Sequence, residues 1–528
     1  MNWNLYRNAW LAGWNQRPLI YILIGAALIR LWAAFGSPGY LMTDDHFLTV
    51  EVTASWAVGE NNGDWIPGWG NNNTEVEGFS FLYPGICFAF YKMMHALDVH
   101  DPQVQQLIFR LLHGLWSLLT VYYVFKLAER LGSKQVAVTA GLLMAFLGVM
   151  PLYVVRNLVE WVGHPFIIGG LYYLSFSSWR KWFLGAMFLG LAVGIRYQNA
   201  WIPIGWGIAY VLIKQWKVVF FTTGISFLFF FLSQIDDVVL WGGKPFQHVS
   251  GYLSYNATHS QDYPGSPLTY LSWISYFIFP PVSLFLLWGT VVPFFKKRLG
   301  IIVANPMIWG LTGAVLCFEV FHLLYPNRQE RFLFPILPAF LVLGAWGYHA
   351  WIEAKGIQNR RWIKNSWKFF WIINILTLIV TANIYPKRAR VESMYALFKK
   401  GDATNFVQDF KHKESNPLSP KFYAGIWSEY YELSKKDDLK ALVESFDDIE
   451  RKYHNQLHDR QYPNYVLFFQ NTQLEERVAA WKKFYPHLRY CETIEPGFFD
   501  RMLHQLNPVN SLETVTIYHI PKEDIKDF

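Results

Sequence analysis

The residues of this chain that could carry chemistry gather in a few short stretches. Thr43-Asp44-Asp45-His46 follows closely on the first long apolar run. A carboxylate beside a reacting carbon takes the proton of an attacking hydroxyl, and two adjacent carboxylates raise each other's proton affinity. The same pair also suits a solvated loop or a helix N-cap. A second stretch, Asn327-Arg328-Gln329-Glu330-Arg331-Phe332, has His322 one helical turn upstream. Guanidinium groups stay charged and bind phosphate oxygens two at a time, which fits Arg328 and Arg331 to a phosphate leaving group. Interface anchoring, or an Arg–Glu pair closing the helix ends, is the plain alternative.

Arg156, Asn157, Glu160 and His164 form a third group, with Arg196 and Gln198 after the next apolar run. Ionisable residues at membrane depth are expensive and tend to be functional or mutually paired. Arg156 and Glu160 stand at helical i,i+4 spacing, so a structural pair is expected as readily as a site. Arg196 has no obvious partner nearby in sequence, which makes it the better phosphate ligand. A fourth stretch runs from Asp236-Asp237 through Trp241-Gly242 to Tyr252-Leu-Ser-Tyr-Asn256. Aromatic rings stack on sugar faces while Asn and Asp bind hydroxyls, although an interfacial aromatic belt has the same composition.

These residues need a scaffold, and composition says which kind. Of 528 residues, 53% are hydrophobic and only 16% charged, far more apolar surface than a soluble chain of this length could bury. The net charge of +7 does not call for a nucleic-acid partner, because the basic residues fall in short clusters between apolar runs. Runs able to cross roughly 30 Å of hydrocarbon at about 20 residues each lie near 19–35, 107–127, 135–151, 158–177, 182–195, 199–213, 217–235, 268–294, 303–325, 332–352 and 367–385. The first lacks a small-residue cleavage pattern and is expected to stay as a span.

With the N-terminus in the cytoplasm, alternation puts Lys126, Arg130 and Lys134, then Arg180 and Lys181, then Lys214 and Lys217, then Lys296-Lys297-Arg298, then Lys355, Arg360, Arg361 and Lys364 inside. That is the positive-inside pattern. Counting 79–97 as a further span would invert every later loop, so it is expected to be a shallow or re-entrant part of the first outer loop. That loop, 36–106, has no Lys or Arg before Tyr91, and the same stretch holds seven acids, among them Asp44, Asp45 and Glu51. Its length points to function.

Past Tyr385 the composition changes. Residues 386–528 have 43 charged positions in 143, against 42 in the preceding 385. The expected organisation is an all-α polytopic membrane domain over 1–385 and a small soluble α/β domain over 386–528, on the same side as the first loop. Helical patterns at 437–453 and 473–484, the run 465–469 and the alternation at 514–518 support the second. Cys87, Cys317 and Cys491 make neither a metal spacing nor a disulfide framework.

Taken together, these motifs resemble the GT-C superfamily of membrane glycosyltransferases, in particular the family 22 mannosyltransferases. Asp44-Asp45 stands where that family has Pro-Asp-Glu, and Phe79-Ser-Phe-Leu-Tyr-Pro84 is similar to its Arg-Ser-Tyr-x-Tyr-Pro. Arg110-Leu-Leu-His resembles Arg-Leu-Leu-Gln, and Arg156 with Glu160 falls at Thr-Arg-Thr…Glu. Asp237 with Trp241-Gly242, and the later stretch ending in Asn256, resemble Asp-x-x-x-Tyr-Gly and Asn-Phe-Leu-x-Phe-Asn. Glu330-Arg331-Phe332-Leu-Phe-Pro335-Ile-Leu-Pro338 is close to the signature His-Lys-Glu-Glu-Arg-Phe-Leu-x-Pro-x-x-Pro. The chain departs from the family at Thr43 for Pro, Asp45 for Glu, Asn327 for His, Gln329 for Glu and Ser266 for His.

The resemblance implies an inverting transfer of a sugar, mannose first, from a polyprenyl-phosphate donor to a glycan or glycolipid hydroxyl on the extracytoplasmic face. Asp44 would be the base, Asp45 its partner, and Arg331, Arg196 and Arg328 the phosphate ligands. Glu51, Arg156, Glu160, His164, Asp237, Asn256, His322 and Glu330 would bind substrate or support the site. No cofactor and no metal is expected. A bacterial inner membrane with the site facing the periplasm is expected, the lumenal face of the endoplasmic reticulum being the alternative. Rival readings are a transporter or flippase of lipid-linked sugars, which would show repeat symmetry and broken helices at mid-membrane, and an aminosugar or oligosaccharide transferase.

Overall fold

The computed structural model describes residues 12–60, 80–239, 244–261, 264–410, 418–427, 431–434, 463–469, 473–506, 508 and 512–524. The chain divides into two compact units, the first drawn from residues 1–35, 66–86 and 109–383, the second from 36–65, 87–108 and 384–528. The expected helix at 437–453 and Trp241-Gly242 lie outside the described residues.

The first unit is helical. Its principal helices are α1 (Pro18–Gly36), α2 (Pro102–Leu131, from residue 109 onward), α3 (Lys134–Phe146), α4 (His164–Leu174), α5 (Trp179–Ile195), α6 (Trp201–Leu212), α7 (Trp216–Ser233), α8 (Gln247–Thr258), α9 (Met307–Leu324), α10 (Leu337–Ala354) and α11 (Arg361–Thr381). Among the described residues, six helices are long and apolar enough to cross a membrane, or seven if one bent pair counts as a span, where the sequence pattern led to eleven. The difference has a local cause. Gly and Pro interrupt the runs at 135–151 and 158–177, so α3 and α4 have 13 and 11 residues. The run at 268–294 is the bent pair, Pro267–Phe277 and Val282–Leu299, turned by 120°. The apolar segment expected at 79–97 is one helix of 15 residues, Leu82–Ala96.

Close helix contacts depend on glycine. A Cβ on Gly205 of α6 would stand 2.3 Å from the carbonyl oxygen of Gly313 in α9, so only the bare backbone permits that approach. A buried charge also belongs to the packing. Arg30 of α1 is 2% exposed. Its Nε donates to Ser117 Oγ at 2.9 Å and its Nη1 to the carbonyl oxygens of Ala145 and Ala26 at 2.8 and 3.2 Å. Asn374 of α11 closes the break after α3, accepting from Gly148 N–H at 2.7 Å and donating to Phe146 O at 2.6 Å.

The second unit contains a five-stranded sheet of β1 (Phe406–Phe410), β2 (Tyr431–Ser434), β3 (Tyr465–Phe469), β4 (Arg489–Ile494) and β5 (Val515–His519), in the order β2-β1-β3-β5-β4. β1 is parallel to β2 and β3, with Val407 opposite Val466; β3 and β4 both run antiparallel to β5. Helices α12 (Arg388–Lys400), α13 (Leu474–Phe484) and α14 (Phe498–Leu506) accompany it. The strands at 465–469 and 515–519 and the helix at 474–484 match the sequence pattern. The core is Val407, Val466, Phe468, Trp481, Tyr485 and Ile520. Asp409 of β1, 1% exposed, pairs with Arg477 and accepts from Trp481 Nε1–H at 2.9 Å, so this buried acid is structural.

Candidate active site

In the first unit three breaks in helical structure bring a charged cluster together. Glu160 lies on the single turn Val159–Val162 and is fully buried. Arg196 caps α5 in an extended conformation (φ −149°, ψ 115°), which turns its side chain out of the helix. Arg331 sits in the 3-10 turn Glu330–Ile336, forced by Pro335 ahead of α10. Arg196 Nη1 is 3.0 Å and Arg331 Nε 3.9 Å from the same oxygen, Glu160 Oε1.

Each arginine is held in the same way. Arg196 Nε donates to Gln198 Oε1 at 2.8 Å, and Arg331 Nε donates to Gln329 Oε1 at 2.8 Å. Both guanidinium carbons stand over the Phe332 ring, 5.6 and 5.7 Å from its centroid. Two guanidiniums thus face one carboxylate, a grouping suited to an anionic ligand. Gln329, a departure from the family pattern, therefore has a definite role: it holds Arg331 without adding a negative charge beside it.

Around this cluster several buried polar atoms have no hydrogen-bond partner among the described residues: Glu160 Oε2, Asn157 Nδ2, His164 Nδ1, His322 Nε2 and the hydroxyl of Tyr270. Orphaned polar atoms on this scale are uncommon in a packed interior and mark a place built for a polar ligand. His164 Nε2 lies 2.7 Å from the Phe334 carbonyl, so it donates there and fixes the 330–336 turn. His322 donates through Nδ1 to Phe318 O at 2.8 Å, which leaves Nε2 an acceptor. On α8, Tyr252 packs edge-on against Tyr197 at 5.4 Å, and burial pushes its hydroxyl up to about 12 against the opposing charge of Arg196.

The remaining expected residues fall elsewhere. The helical pair Arg156–Glu160 does not form: the chain leaves α-helical geometry between them, Arg156 donates to Leu152 O, and Glu160 partners Arg196 instead. Arg196, with no obvious partner nearby in sequence, finds one in the distant Glu160. Arg328 is engaged by backbone, its Nη1 donating to Gly265 O at 2.8 Å and its Nη2 to Leu323 O at 2.9 Å, so it clamps a turn. Glu330 takes part through its carbonyl, which accepts from Trp273 Nε1–H at 3.0 Å. Asn256 bridges Tyr252 O and the Tyr325 hydroxyl at 2.8 and 2.7 Å. Asp237 pairs with His248, whose ring stacks on Phe81 at 5.3 Å. Gln198 and Phe332 stood among the quoted residues without a stated role; His248 is new, and only its spacing of four from Tyr252 and eight from Asn256 on one helix face pointed to it.

In the second unit, Asp44 is exposed and Asp45 partly so, both in the first turn Thr43–Asp45. A π turn, His46–Glu51, follows before the helix Val52–Val58. Such turns recur at functional positions. His46 is 2% exposed and stacks between Tyr40 (4.2 Å, 17°) and Tyr423 (5.6 Å, 6°). Its Nε2 lies 3.4 Å from Glu51 Oε1, and that oxygen accepts from the Phe422 N–H at 2.9 Å. Glu51 and His46 thus tie the acidic turn to the segment 421–423 of the same unit. Among the described residues no three His, Cys, Asp or Glu side chains converge as a metal-ligand set.

Comparison with known proteins agrees with this architecture. No curated protein matches the sequence. ArnT from Cupriavidus metallidurans bound to undecaprenyl phosphate superposes with a TM-score of 0.54 at 11% identity, over 95% of this chain and 98% of that one. The oligosaccharyltransferase AglB from Archaeoglobus fulgidus, in complex with an inhibitory peptide and a dolichol-phosphate, gives a TM-score of 0.52 at 12% identity, over 97% of this chain and 75% of that one. At such identities the likeness speaks for the fold. The sequence pattern of the Alg9-like mannosyltransferase family matches residues 21–432. With that match over most of its length, the chain belongs to the Alg9-like mannosyltransferase family of GT-C membrane glycosyltransferases.

Proposed function

We propose that the protein transfers a hexose, mannose first among candidates, from a polyprenyl-phosphate donor to a hydroxyl of a glycan or glycolipid on the extracytoplasmic face of a membrane. The observation that carries this reading is the pair of guanidiniums sharing Glu160, with the orphaned polar atoms around them. A lipid phosphate is the anion such a pair suits, because its negative charge grows as the sugar departs. The undecaprenyl phosphate bound to ArnT and the dolichol-phosphate bound to AglB support that class of donor.

In the proposed step the acceptor oxygen attacks the anomeric carbon from the face opposite the phosphate. The new C–O bond forms as the bond from the anomeric carbon to the phosphate oxygen breaks, and the electron pair leaves with the polyprenyl phosphate. Asp44 accepts the hydroxyl proton and Asp45 supports it. Arg196 and Arg331 take up the developing phosphate charge, while Gln198 and Gln329 keep the guanidiniums aimed. The reading assigns no metal to this step. The basic clusters mark the cytoplasmic face, so the active face is assigned to the other side, the periplasm for a bacterial inner membrane or the lumen for the endoplasmic reticulum.

The test is turnover of purified protein in bilayer discs with a panel of polyprenyl-phosphate sugars and extracted glycolipid acceptors. Labelled sugar should appear in the glycolipid with inverted anomeric configuration. Movement of the intact donor across proteoliposome membranes, without sugar transfer, would replace the enzyme by a transporter.

A further inference from the structure

A second polar site lies in the first unit at the other ends of the helices that carry the Glu160 cluster. α5 runs from Trp182, beside a cavity of about 470 Å³, to Arg196, and α10 follows Arg331 and reaches the same cavity at Trp346. The 14 residues between Trp182 and Arg196 span roughly 20 Å at 1.5 Å per residue. Arg130, Tyr210, Gln215, Ile302 and Asn305 also line the cavity. Arg130, Lys181 and Lys214 belong to the loops that the positive-inside pattern assigns to the cytoplasm.

Three observations point to an anion. Arg130 and Lys181 share one ring: the guanidinium carbon is 3.7 Å and the Lys181 ammonium 5.7 Å from the Phe176 centroid. Neither cation has an ion pair with an acid among the described residues, the nearby Glu129 being engaged by Lys126 at 2.8 Å. Two like charges on one ring without a counter-charge repel each other, and an anion relieves that repulsion. Next, Arg130 uses only Nε on protein, donating to Ser175 O at 3.1 Å, so both terminal nitrogens lack a protein acceptor among the described residues. Then Gln215 and Asn305 present side-chain amides, Asn305 already fixed by the N–H of Met307 at 2.9 Å on its oxygen.

The mouth tells a lipid from a soluble anion. Ile302, on the cavity wall, is 87% exposed, and Leu212, three residues before Gln215, is 76% exposed. Apolar side chains so bare are at home against acyl chains, not water. We propose that this cavity binds the phosphate-bearing headgroup of an anionic phospholipid from the cytoplasmic leaflet. The phosphate sits on Arg130 with Lys181 adding charge, the headgroup hydroxyls meet Gln215 and Asn305, and the acyl chains leave past Ile302.

The full-length protein in detergent is tested by native mass spectrometry, titrated with dioleoylphosphatidylglycerol or dioleoylphosphatidylcholine. Wild type should retain the anionic lipid preferentially, and Arg130→Gln should weaken that retention about tenfold, the loss of one charge-assisted contact. Arg130→Lys should keep most of it, and Lys364→Gln, a basic residue away from the cavity wall, all of it. Equal retention of the two lipids, or an unchanged preference in Arg130→Gln at an unchanged melting temperature, would overturn the site. Capture of glycerol 1-phosphate as tight as that of the whole lipid would overturn the lipid assignment. None of these readouts depends on sugar transfer, so the inference stands or falls apart from the proposed reaction.

Discussion

Arg196 Nη1 lies 3.0 Å from Glu160 Oε1, and both residues project from interruptions in helical structure, not from helix interiors. A fully buried carboxylate between two guanidiniums is stable only as a set. Replacing Glu160 by Gln removes the buried carboxylate that Arg196 and Arg331 share, which costs about 3–5 kcal/mol. Thermal denaturation of the purified variant should show a clear fall in melting temperature. Arg196→Gln should do less to stability and more to the donor, raising its KM about 10- to 100-fold through the loss of about 1.5–3 kcal/mol of charge-assisted binding. A KM unchanged in Arg196→Gln would remove that residue from the phosphate site.

The His46 stack yields a different kinetic signature. Tyr40, His46 and Tyr423 lock the acidic turn within the second unit. His46→Leu or Tyr423→Leu should therefore lower kcat at least about tenfold while donor KM changes less than twofold, since misplacing a catalytic group by a fraction of an ångström is costly. Steady-state kinetics in the two substrates checks this. His46→Gln, which keeps a polar atom near Glu51, should recover part of the loss.

A surface pair in the second unit gives a pH test independent of activity. The hydrogen bond and charge of Asp524, 2.6 Å away, raise the His487 imidazole above its ordinary value of 6.5. The folded state thus favours the protonated ring. Its stabilisation is fully present below the ordinary value and is lost as pH rises through the raised one. Nuclear magnetic resonance of labelled histidine should show His487 titrating above the ordinary range, and Asp524→Asn should bring it back to about 6.5. An unaltered midpoint would contradict the pairing.

The proposed chemistry puts arginine where many phosphate-handling proteins put a divalent cation. Exhaustive dialysis against EDTA should leave the transfer rate within about twofold, and added Mg²⁺ or Mn²⁺ should not raise it. A rate abolished by EDTA and restored by metal would move the protein toward a metal-dependent oligosaccharide transferase.

Much of this was legible in the sequence because membrane proteins declare themselves by composition and spacing. The apolar runs mark the helices, and the order of Asp44, Arg156, Asp237 and Arg331 carries the family resemblance. Partner choice was less legible. Glu160 sits at i+4 from Arg156, yet the chain leaves the helix between them and the acid turns to Arg196, 36 positions on. Spacing rules assume regular structure, and sites are often built where it stops. The roles of Gln198 and Gln329 as supports were likewise hidden, since each reads as a neutral polar residue until its arginine is seen. The tie between Glu51 and Phe422, 371 residues apart, has no sequence signal at all.

The most direct measurement is single-turnover sugar transfer by wild type and Asp44→Asn, with polyprenyl-phosphate mannose binding measured in parallel. The account predicts unchanged donor binding and a rate lower by about 10²- to 10⁴-fold, the usual contribution of a positioned general base. Transfer by Asp44→Asn at the wild-type rate would contradict it.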